Sequence, residues 1–365
     1  MGFESGSLSF RMFYMPHGMP EDSVKRFSRH AAPPLDHLGR EAVRGWVSGR
    51  HLLDREIDDD NAFLCGYLRL TLMKAERKIP DALLRAECQI QELSELRDQG
   101  GSGLRRDRRL AIRKEVLERL LPQMPPTLTG ISMVYDGNAE LLLAGAVTDK
   151  QTESLSNALR ETLGEAPIPL TAATAALKRK KVNVRDLDPV SFTPELEDEL
   201  AGDHLGQDFL TWLWFYSEAS GGLLDTDRGT FAVVLQGPLT FVMEGEGAHE
   251  ALLRKGQPLV SNEAKAALLG GKKLAAARII LARGNEQWET MLDADRFAFR
   301  GLKFPKGQPL DPVSRFQERM NGVETFREGF LALFDRFLDD RADPAAWKSI
   351  RKDIHGWVTG RTAKR

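Results

Sequence analysis

Residues 276–304 read AARIILARGNEQWETMLDADRFAFRGLKF. This stretch predicts two or three strands, with a turn at Gly284-Asn285. Further strands are predicted at 7–15 and 61–73, in a hairpin at 131–147 that turns at Gly137-Asn138, and as a pair at 230–243 around Gly237-Pro238. Because strands and helices are mixed without strict βαβ alternation, we predict an α+β fold: antiparallel sheets flanked by helices, in several subdomains.

Two helices separated by glycines form a recognisable unit. Pro80-Asp81 opens the first, in which Leu83, Ala86, Ile90 and Leu93 recur at helical spacing and predict one apolar stripe of the kind that faces a core. This helix is expected to end before Gly100, and the second is expected over about 104–121, where Pro122 ends it. Other helices are predicted at 150–164, at 205–216 and over the C-terminal part.

The chain of 365 residues is long enough for several subdomains. We divide it into a strand-rich part (1–73), a basic helical hairpin (74–126), a β-hairpin with a helix (127–184), an aromatic helix with a hairpin (185–250), a basic loop with antiparallel strands (251–305) and C-terminal helices (306–365).

The composition is that of an ordinary globular protein, with 42% hydrophobic and 28% charged residues and a formal net charge of −2. No apolar run approaches the roughly 18 residues that a membrane-spanning helix needs, and the N-terminus lacks the pattern of a signal peptide. Cys65 and Cys88 stand among apolar residues, as buried thiols do in a reducing compartment. We therefore expect a cytoplasmic protein without membrane contact.

Signatures of catalysis are missing from the sequence. It contains no Walker A loop, no Gly-x-Ser-x-Gly elbow, no His-Glu-x-x-His pair and no zinc-spaced cysteines. An acidic stretch at 194–203 offers Glu195, Glu197, Asp198 and Asp203 to a metal ion, but it suits a solvated helix start better. We predict no catalytic residue, metal or cofactor, and keep a metal-dependent nuclease as the alternative.

The arginine-rich segment 105–114 (RRDRRLAIRK) is the most informative one. It sets Arg105, Arg106, Arg108, Arg109, Arg113 and Lys114 against one acid in the first half of a helix. Cations near a helix N-terminus are unfavourable by about 0.3–1 kcal/mol each, because the helix dipole is positive there. Duplex DNA is an anionic partner that offsets this cost; a solvated charged helix face is the alternative.

Two further groups of cations have the composition of phosphate-contact loops. Arg254-Lys255-Gly256-Gln257 and Gly270-Gly271-Lys272-Lys273 place cations beside glycines, which let a backbone approach a phosphate closely. Arg77-Lys78 and the run LKRKK at 177–181 leave the same two interpretations open, DNA contact or solvated surface.

The helix predicted at 205–216 (LGQDFLTWLWFY) is rich in aromatic residues. No basic residue interleaves Trp212, Trp214 and Phe215, so a core or a dimer interface is favoured over stacking on bases. We take these three as candidate dimer contacts.

The sequence resembles the RdgC family of recombination-associated bacterial proteins. The resemblance rests on Gly45-Trp46-Val47 with KAERKIP (74–80), on KEVLERLL (114–121) before Pro122, on 131–170 ending in APIPL, and on 254–305 with RKGQPLVSNEAK, GGKKLAAARIIL and GLKFP; the helix at 316–338 matches in pattern. These stretches cover about two thirds of the chain, and their order is more specific than any single motif.

The resemblance implies a homodimeric ring with a positively charged hole, which clamps duplex DNA without sequence preference and modulates RecA-dependent recombination. It implies a nucleoid-associated protein whose partners are double-stranded DNA, a second copy of itself and the RecA filament. The family's exonuclease label has no support in the motifs of this chain. The third hypothesis is a scaffold that binds proteins through the aromatic helix, without DNA.

The family's DNA contacts match this chain at Arg254, Lys255 and Gln257 and at Gly271-Lys272, and the cations described above complete the set of candidates. The candidates for phosphate contact are Arg77, Lys78, Arg105, Arg106, Arg109, Arg113, Lys114, Gln123, Arg254, Lys255, Gln257, Lys272 and Lys273. The chain departs from the family at Gly256, where a lysine is expected, and at Gln123 and Pro125, where the family places the basic and aromatic residues that press on DNA. The segment 185–250 is longer than in short family members.

Overall fold

A single antiparallel sheet runs through most of the molecule. The computed structural model describes residues 2–39, 41–98, 101, 103–196, 204–243, 250–256, 258–307 and 311–360. The strands are β1 (Leu8–Tyr14), β2 (Val43–Ser48), β3 (Phe63–Leu64), β4 (Tyr67–Arg77), β5 (Pro126–Asp136), β6 (Leu141–Ala144), β7 (Ile168–Pro169), β8 (Leu223–Thr226), β9 (Gly229–Val242), β10 (Glu250–Leu253), β11 (Lys273–Arg283), β12 (Glu286–Asp293) and β13 (Ala298–Lys303). The helices are α1 (Ser23–Arg29), α2 (Asp59–Ala62), α3 (Asp81–Asp98), α4 (Arg106–Leu120), α5 (Asp149–Leu163), α6 (Ala172–Lys180), α7 (Leu205–Ala219), α8 (Asn262–Leu269), α9 (Pro312–Ala342) and α10 (Pro344–Val358).

The strand order is β10-β9-β11-β12-β13-β1-β6-β5-β4-β2, with β3, β7 and β8 attached at the sides. All pairings of these strands are antiparallel, so the predicted α+β class with an antiparallel sheet is confirmed. Among the described residues, no helix is long and apolar enough to cross a membrane.

Strand β1 joins the two halves of the sheet. Its beginning pairs with β13 (Leu8 with Leu302), and its end pairs with β6 (Tyr14 with Leu141). Its side chains alternate between two cores: Phe10 belongs to the larger cluster with α7 and α9, and Phe13 to the cluster with α1 and α5.

Each half of the sheet has its own helical cover. The larger cluster packs α7 and α9 against β9, β11, β12 and β13, and Phe209, Phe297 and Phe330 meet edge to face within it. The opposite face of the β2–β6 half is covered by α1 and α5, where Trp46, Leu155 and Leu159 pack. The same face of the β9–β13 half carries no core cluster in the described parts of the chain.

A helical hairpin of α3 and α4 is inserted between β4 and β5, which end their pairing at Arg77 and Pro126. It has a core cluster of its own, centred on Leu84, Ile112 and Val116.

The apolar stripe predicted on α3 does not face this core. Leu83, Ile90 and Leu93 are 37%, 63% and 57% exposed, and Leu84 faces α4 instead. The prediction was wrong because α3 carries two apolar stripes, and only one of them meets α4.

The predicted pair of strands around Gly237-Pro238 is also wrong. Residues 229–242 form the single strand β9, and Gly237-Pro238, a cis peptide, lies inside it. The register of β9 against β11 shifts between Ala277 and Arg278, next to this point, and such an irregularity tolerates a proline that cannot donate to the ladder.

Candidate nucleic-acid interface

The helical hairpin is held together by ion pairs between its two helices. Nε of Arg108 donates to Glu95 over 2.8 Å and Nη1 donates to Glu115 over 2.9 Å, while Nε of Arg109 lies 3.7 Å from Glu92. The hydrogen bonds to both glutamates raise the pKa of Arg108 above its usual range. These two arginines therefore hold α4 to α3, and Arg109, a candidate for phosphate contact, is partly neutralised.

Four other cations of α4 are exposed to solvent. Arg105, Arg106, Arg113 and Lys114 have no ion-pair partner among the described residues. Arg106, Arg113 and Lys114 share one side of the helix, because positions separated by seven or eight residues lie above one another. These three side chains, which we call the hairpin cations, are exposed to solvent.

The candidates at the base of the hairpin have structural partners. Nε of Arg77 donates to the carbonyl of Leu38 over 3.3 Å and Nη1 donates to the carbonyl of Met124, so this side chain ties β4 to its neighbours. Lys78 is exposed but pairs with Glu76, whose pKa is lowered to about 2 by hydrogen bonds from Lys74 and Lys78. Gln123 is exposed, and its Nε2 donates to the carbonyl of Arg119.

The second basic group is split by burial. Arg254 and Lys255 are exposed beyond β10, and Lys272 is half-buried. Lys273 is 4% exposed, with its Nζ 2.7 Å from Oδ1 of Asp208, and therefore has no surface for a phosphate. Gln257 lies outside the described residues.

The two groups of candidates lie far apart in the sheet. Strands β10 and β4 stand eight positions apart in the sheet. At about 4.8 Å per strand, roughly 40 Å of sheet separates Arg254 from the hairpin.

Sequence analysis missed a groove beside α5. Arg44 on β2 stands opposite Lys74 on β4, and Lys74 stands opposite Thr129 on β5. All three lie on the sheet face that α5 covers at neighbouring positions of these strands. Two adjoining cavities of about 200 and 160 Å³ share Arg44, Leu72 and Ser154, and Lys74 and Lys150 line the second. Arg44 and Lys150 are exposed, and no ion pair holds either within the described ranges. We call this feature the α5 groove.

The uncovered sheet face continues the groove. Arg11 links the two, because its Nη1 donates to Oγ1 of Thr152 in α5 over 3.0 Å and its Nε donates to the carbonyl of Arg296 over 3.1 Å. Beyond it lie the open-face cations, which are Arg278, Arg296, Arg300 and Lys303. Acidic neighbours partly neutralise them: Glu289 lies 2.8 Å from Arg278 and 3.0 Å from Lys303.

The alternation of residues along β2 and β4 could have indicated Arg44 and Lys74 from the sequence. Arg44 stands two residues before the buried Trp46, and Lys74 two residues after the buried Leu72. A cation that continues the buried face of a strand lies where the helical cover ends. Which strands would be neighbours was not visible in the sequence.

The run at 177–181 belongs to the surface of α6. Lys180 Nζ lies 2.7 Å from Asp339 and Arg179 pairs with Asp335, both on α9, while Lys178 lies over the ring of Tyr14. These cations attach α6 to its neighbours.

The aromatic helix α7 is in the core. Trp212 and Trp214 are at most 1% exposed and Phe215 is 8% exposed. The prediction that these three residues are dimer contacts is therefore wrong. Their rings pack on α9, α10 and β9 and leave no surface for a second chain.

Most of the acidic stretch at 194–203 lies outside the described residues. Glu195 is exposed, and Glu197, Asp198 and Asp203 lie outside the described residues. In the part of the chain that the structure describes, no three histidines, cysteines or acids cluster as a metal site.

Fold and site together define an antiparallel α+β protein that exposes cations without ion-pair partners, among the described residues, on a helical hairpin and in the α5 groove. Residues 25–180 match the model of the family described as "RdgC: Putative exonuclease, RdgC". This segment runs from α1 to the end of α6 and includes the hairpin and the α5 groove, and over it the resemblance to the RdgC family is confirmed. The resembling stretches at 254–305 and 316–338 lie outside the match. No curated protein matches the chain.

Proposed function

We propose that this chain binds duplex DNA without sequence preference, as a ring-forming homodimer that acts in RecA-dependent recombination and has no catalytic activity of its own. The observation that carries the proposal is the grouping of exposed cations without acidic partners on α4 and in the α5 groove, in a chain of net charge −2. Phosphates are the partner that such a surface suits, because they are read by charge and not by base identity.

A closed ring would add the affinity for DNA that the modest local charge does not provide. The hairpin is a projection at one end of the sheet, and Arg254 and Lys255 mark the other. Two copies joined at their ends would enclose the duplex, so that each phosphate contact can be weak. The exposed stripe of Leu83, Ile90 and Leu93 on α3 is the surface on which we place one of the two contacts with the second copy.

Fluorescence anisotropy with two unrelated duplexes at several salt concentrations tests DNA binding. We expect equal affinities for both sequences and a steep fall with salt. The double variants Arg106→Gln/Arg113→Gln and Arg44→Gln/Lys150→Gln are each expected to lower the magnitude of the slope of log K against log salt by about 2, because each lost phosphate contact removes about 0.9.

The matched control is Lys348→Gln/Lys352→Gln, which removes the same charge from two exposed positions of α10. It is expected to leave the slope unchanged. If all three double variants behave alike, the cations act only through net charge and the proposed interface is wrong; absence of binding at low salt rejects the function itself.

The family's description as an exonuclease gives the competing activity a direct test. End-labelled duplex is incubated with the protein and Mg²⁺ or Mn²⁺, and we expect the label to be retained. Loss of label that persists through repurification, and that disappears in the variant Glu197→Ala, would replace a binding protein with a nuclease.

A further inference from the structure

A pocket lies where β11 ends and β12 begins, on the side of α9 and away from the proposed DNA surface. It has a volume of about 340 Å³ and is formed by the start of β12, the segment after β13 and the first half of α9. Its floor is Trp288, and its sides include Phe304, Arg315, Arg319 and Gly322. This volume is at the lower end of small-molecule sites, so the pocket suits a ligand of metabolite size.

The indole of Trp288 is buried without a hydrogen-bond partner. The residue is 1% exposed, and its Nε1 has no acceptor in the described part of the chain. A Cβ on residue 322 would stand 3.6 Å from this nitrogen and 3.0 Å from Phe304, so the glycine leaves the side chains there unobstructed. Leaving a buried donor unsatisfied is costly, and an acceptor on a ligand would remove that cost.

The charges around the pocket favour an anion. Arg315 is exposed and has no ion pair in the described ranges, and Arg319 donates only to the carbonyls of Gly2, Phe3 and Gly6. Burial, followed by repulsion from Arg315, lowers the pKa of Arg319. Arg283 is neutralised by Glu286, 2.9 Å away, so the two other arginines face one further acid, Glu318. The lining therefore has an excess of one positive charge.

Phe304 gives the pocket a flat apolar wall. The guanidinium of Arg319 lies 4.3 Å from the centre of this ring, and Arg283 lies 5.9 Å from the ring of Trp288. Because guanidinium groups stack on aromatic faces, arginines beside aromatic rings favour a ligand with a flat ring.

We propose that this pocket binds a small organic anion: a flat ring that carries one carboxylate or phosphate group. The anionic group pairs with Arg315, the ring lies along Phe304, and an acceptor atom reaches Nε1 of Trp288. This site is independent of DNA binding.

The test uses full-length protein labelled with 5-fluorotryptophan and fluorine NMR, with the Trp288 resonance assigned from Trp288→Phe. The probes are benzoate and phenyl phosphate at millimolar concentration. Benzyl alcohol is the matched neutral ring and inorganic phosphate the matched anion without a ring. We expect one or both ring anions to shift the Trp288 resonance and neither control to do so. The two probes decide between carboxylate and phosphate.

Two variants show whether the probe sits where we place it. Arg315→Gln removes an exposed charge and is expected to weaken binding about tenfold, in line with a charge-assisted hydrogen bond. Gly322→Ala narrows the approach to Nε1 and is expected to weaken binding while the melting temperature stays within a few degrees. If no ring anion shifts Trp288, or if the controls shift it equally, the proposal is wrong.

Discussion

Asp208 and Lys273 form a pair that is costly to bury and therefore sensitive to change. Both side chains are nearly inaccessible, on α7 and β11, and a neighbouring backbone N–H, that of Leu274, donates to Oγ1 of Thr211 over 3.1 Å. Burial raises the pKa of Asp208 to about 6, while Lys273 opposes this shift. A buried pair contributes little net stability, yet removing one partner leaves an uncompensated charge.

Lys273→Met is expected to destabilise the protein by about 3–5 kcal/mol at pH 7.5, because it leaves the Asp208 carboxylate buried without its cation. Since the pKa of Asp208 in the folded state lies above its ordinary value, protonation favours folding, and stability from this group is lost as pH rises from about 4 to about 6. The penalty of Lys273→Met is therefore smaller at pH 5. Urea unfolding at both pH values measures it.

The double variant Asp208→Asn/Lys273→Met provides the comparison. It removes both charges and is expected to restore most of the lost stability and to flatten the pH dependence between 4 and 6. A double variant as unstable as the single one would show that packing, and not charge, is what Lys273 contributes.

The stability of the helical hairpin depends mainly on contacts within the hairpin. Leu84, Ile112 and Val116 form a core that shares no residue with the other three clusters. The ion pair of Arg108 with Glu95 crosses the same interface from outside. Local unfolding of α3 and α4 can therefore occur without loss of the sheet.

Ile112→Ala is expected to cost about 2–5 kcal/mol within the hairpin, because it empties a fully buried site. Hydrogen exchange measured by mass spectrometry reads out the effect: peptides from 81–120 lose protection, whereas those from α5 and β11 keep it. Leu110→Ala, on the same helix but 58% exposed, is the control and is expected to change stability by less than about 0.5 kcal/mol. Loss of protection throughout the chain would mean that the hairpin and the sheet unfold together.

Local sequence patterns predicted turns and helix ends well. They failed where a residue distant in sequence determines which side chains are buried. The turns at Gly284-Asn285 and Gly137-Asn138 and the end of α4 at Pro122 follow from backbone chemistry of adjacent residues. Leu83, Ile90 and Leu93 follow a helical period but have no packing partner in the part of the chain that the structure describes. The burial of Lys273 was equally invisible, since Asp208 is distant in sequence.

At the scale of the whole molecule, the exposed apolar stripe of α3 and the ends of the sheet are the surfaces through which we expect two copies to associate. If the chain forms the proposed dimer, Ile90→Glu/Leu93→Glu is expected to convert it to a monomer in light scattering, because two charges would be buried in the contact that we place there. DNA binding is expected to weaken with it, since the ring can no longer close.

Leu53→Glu/Leu177→Glu is the matched control, because both leucines are more than half exposed at other places. It is expected to leave the dimer intact. A stable dimer of the α3 variant would place the contact elsewhere on the surface.

The position of β1 in the centre of the sheet also sets the order of events during synthesis. Leu8 is translated 294 residues before its partner Leu302. Until β13 arrives, β1 keeps an unpaired edge and one uncovered apolar face that includes Phe10. Pairings of such sequence separation make folding slow and expose the nascent chain to aggregation. We therefore expect the sheet to close only after β13 has been translated, and nascent chains that stop before β13 to be clients of ribosome-associated chaperones.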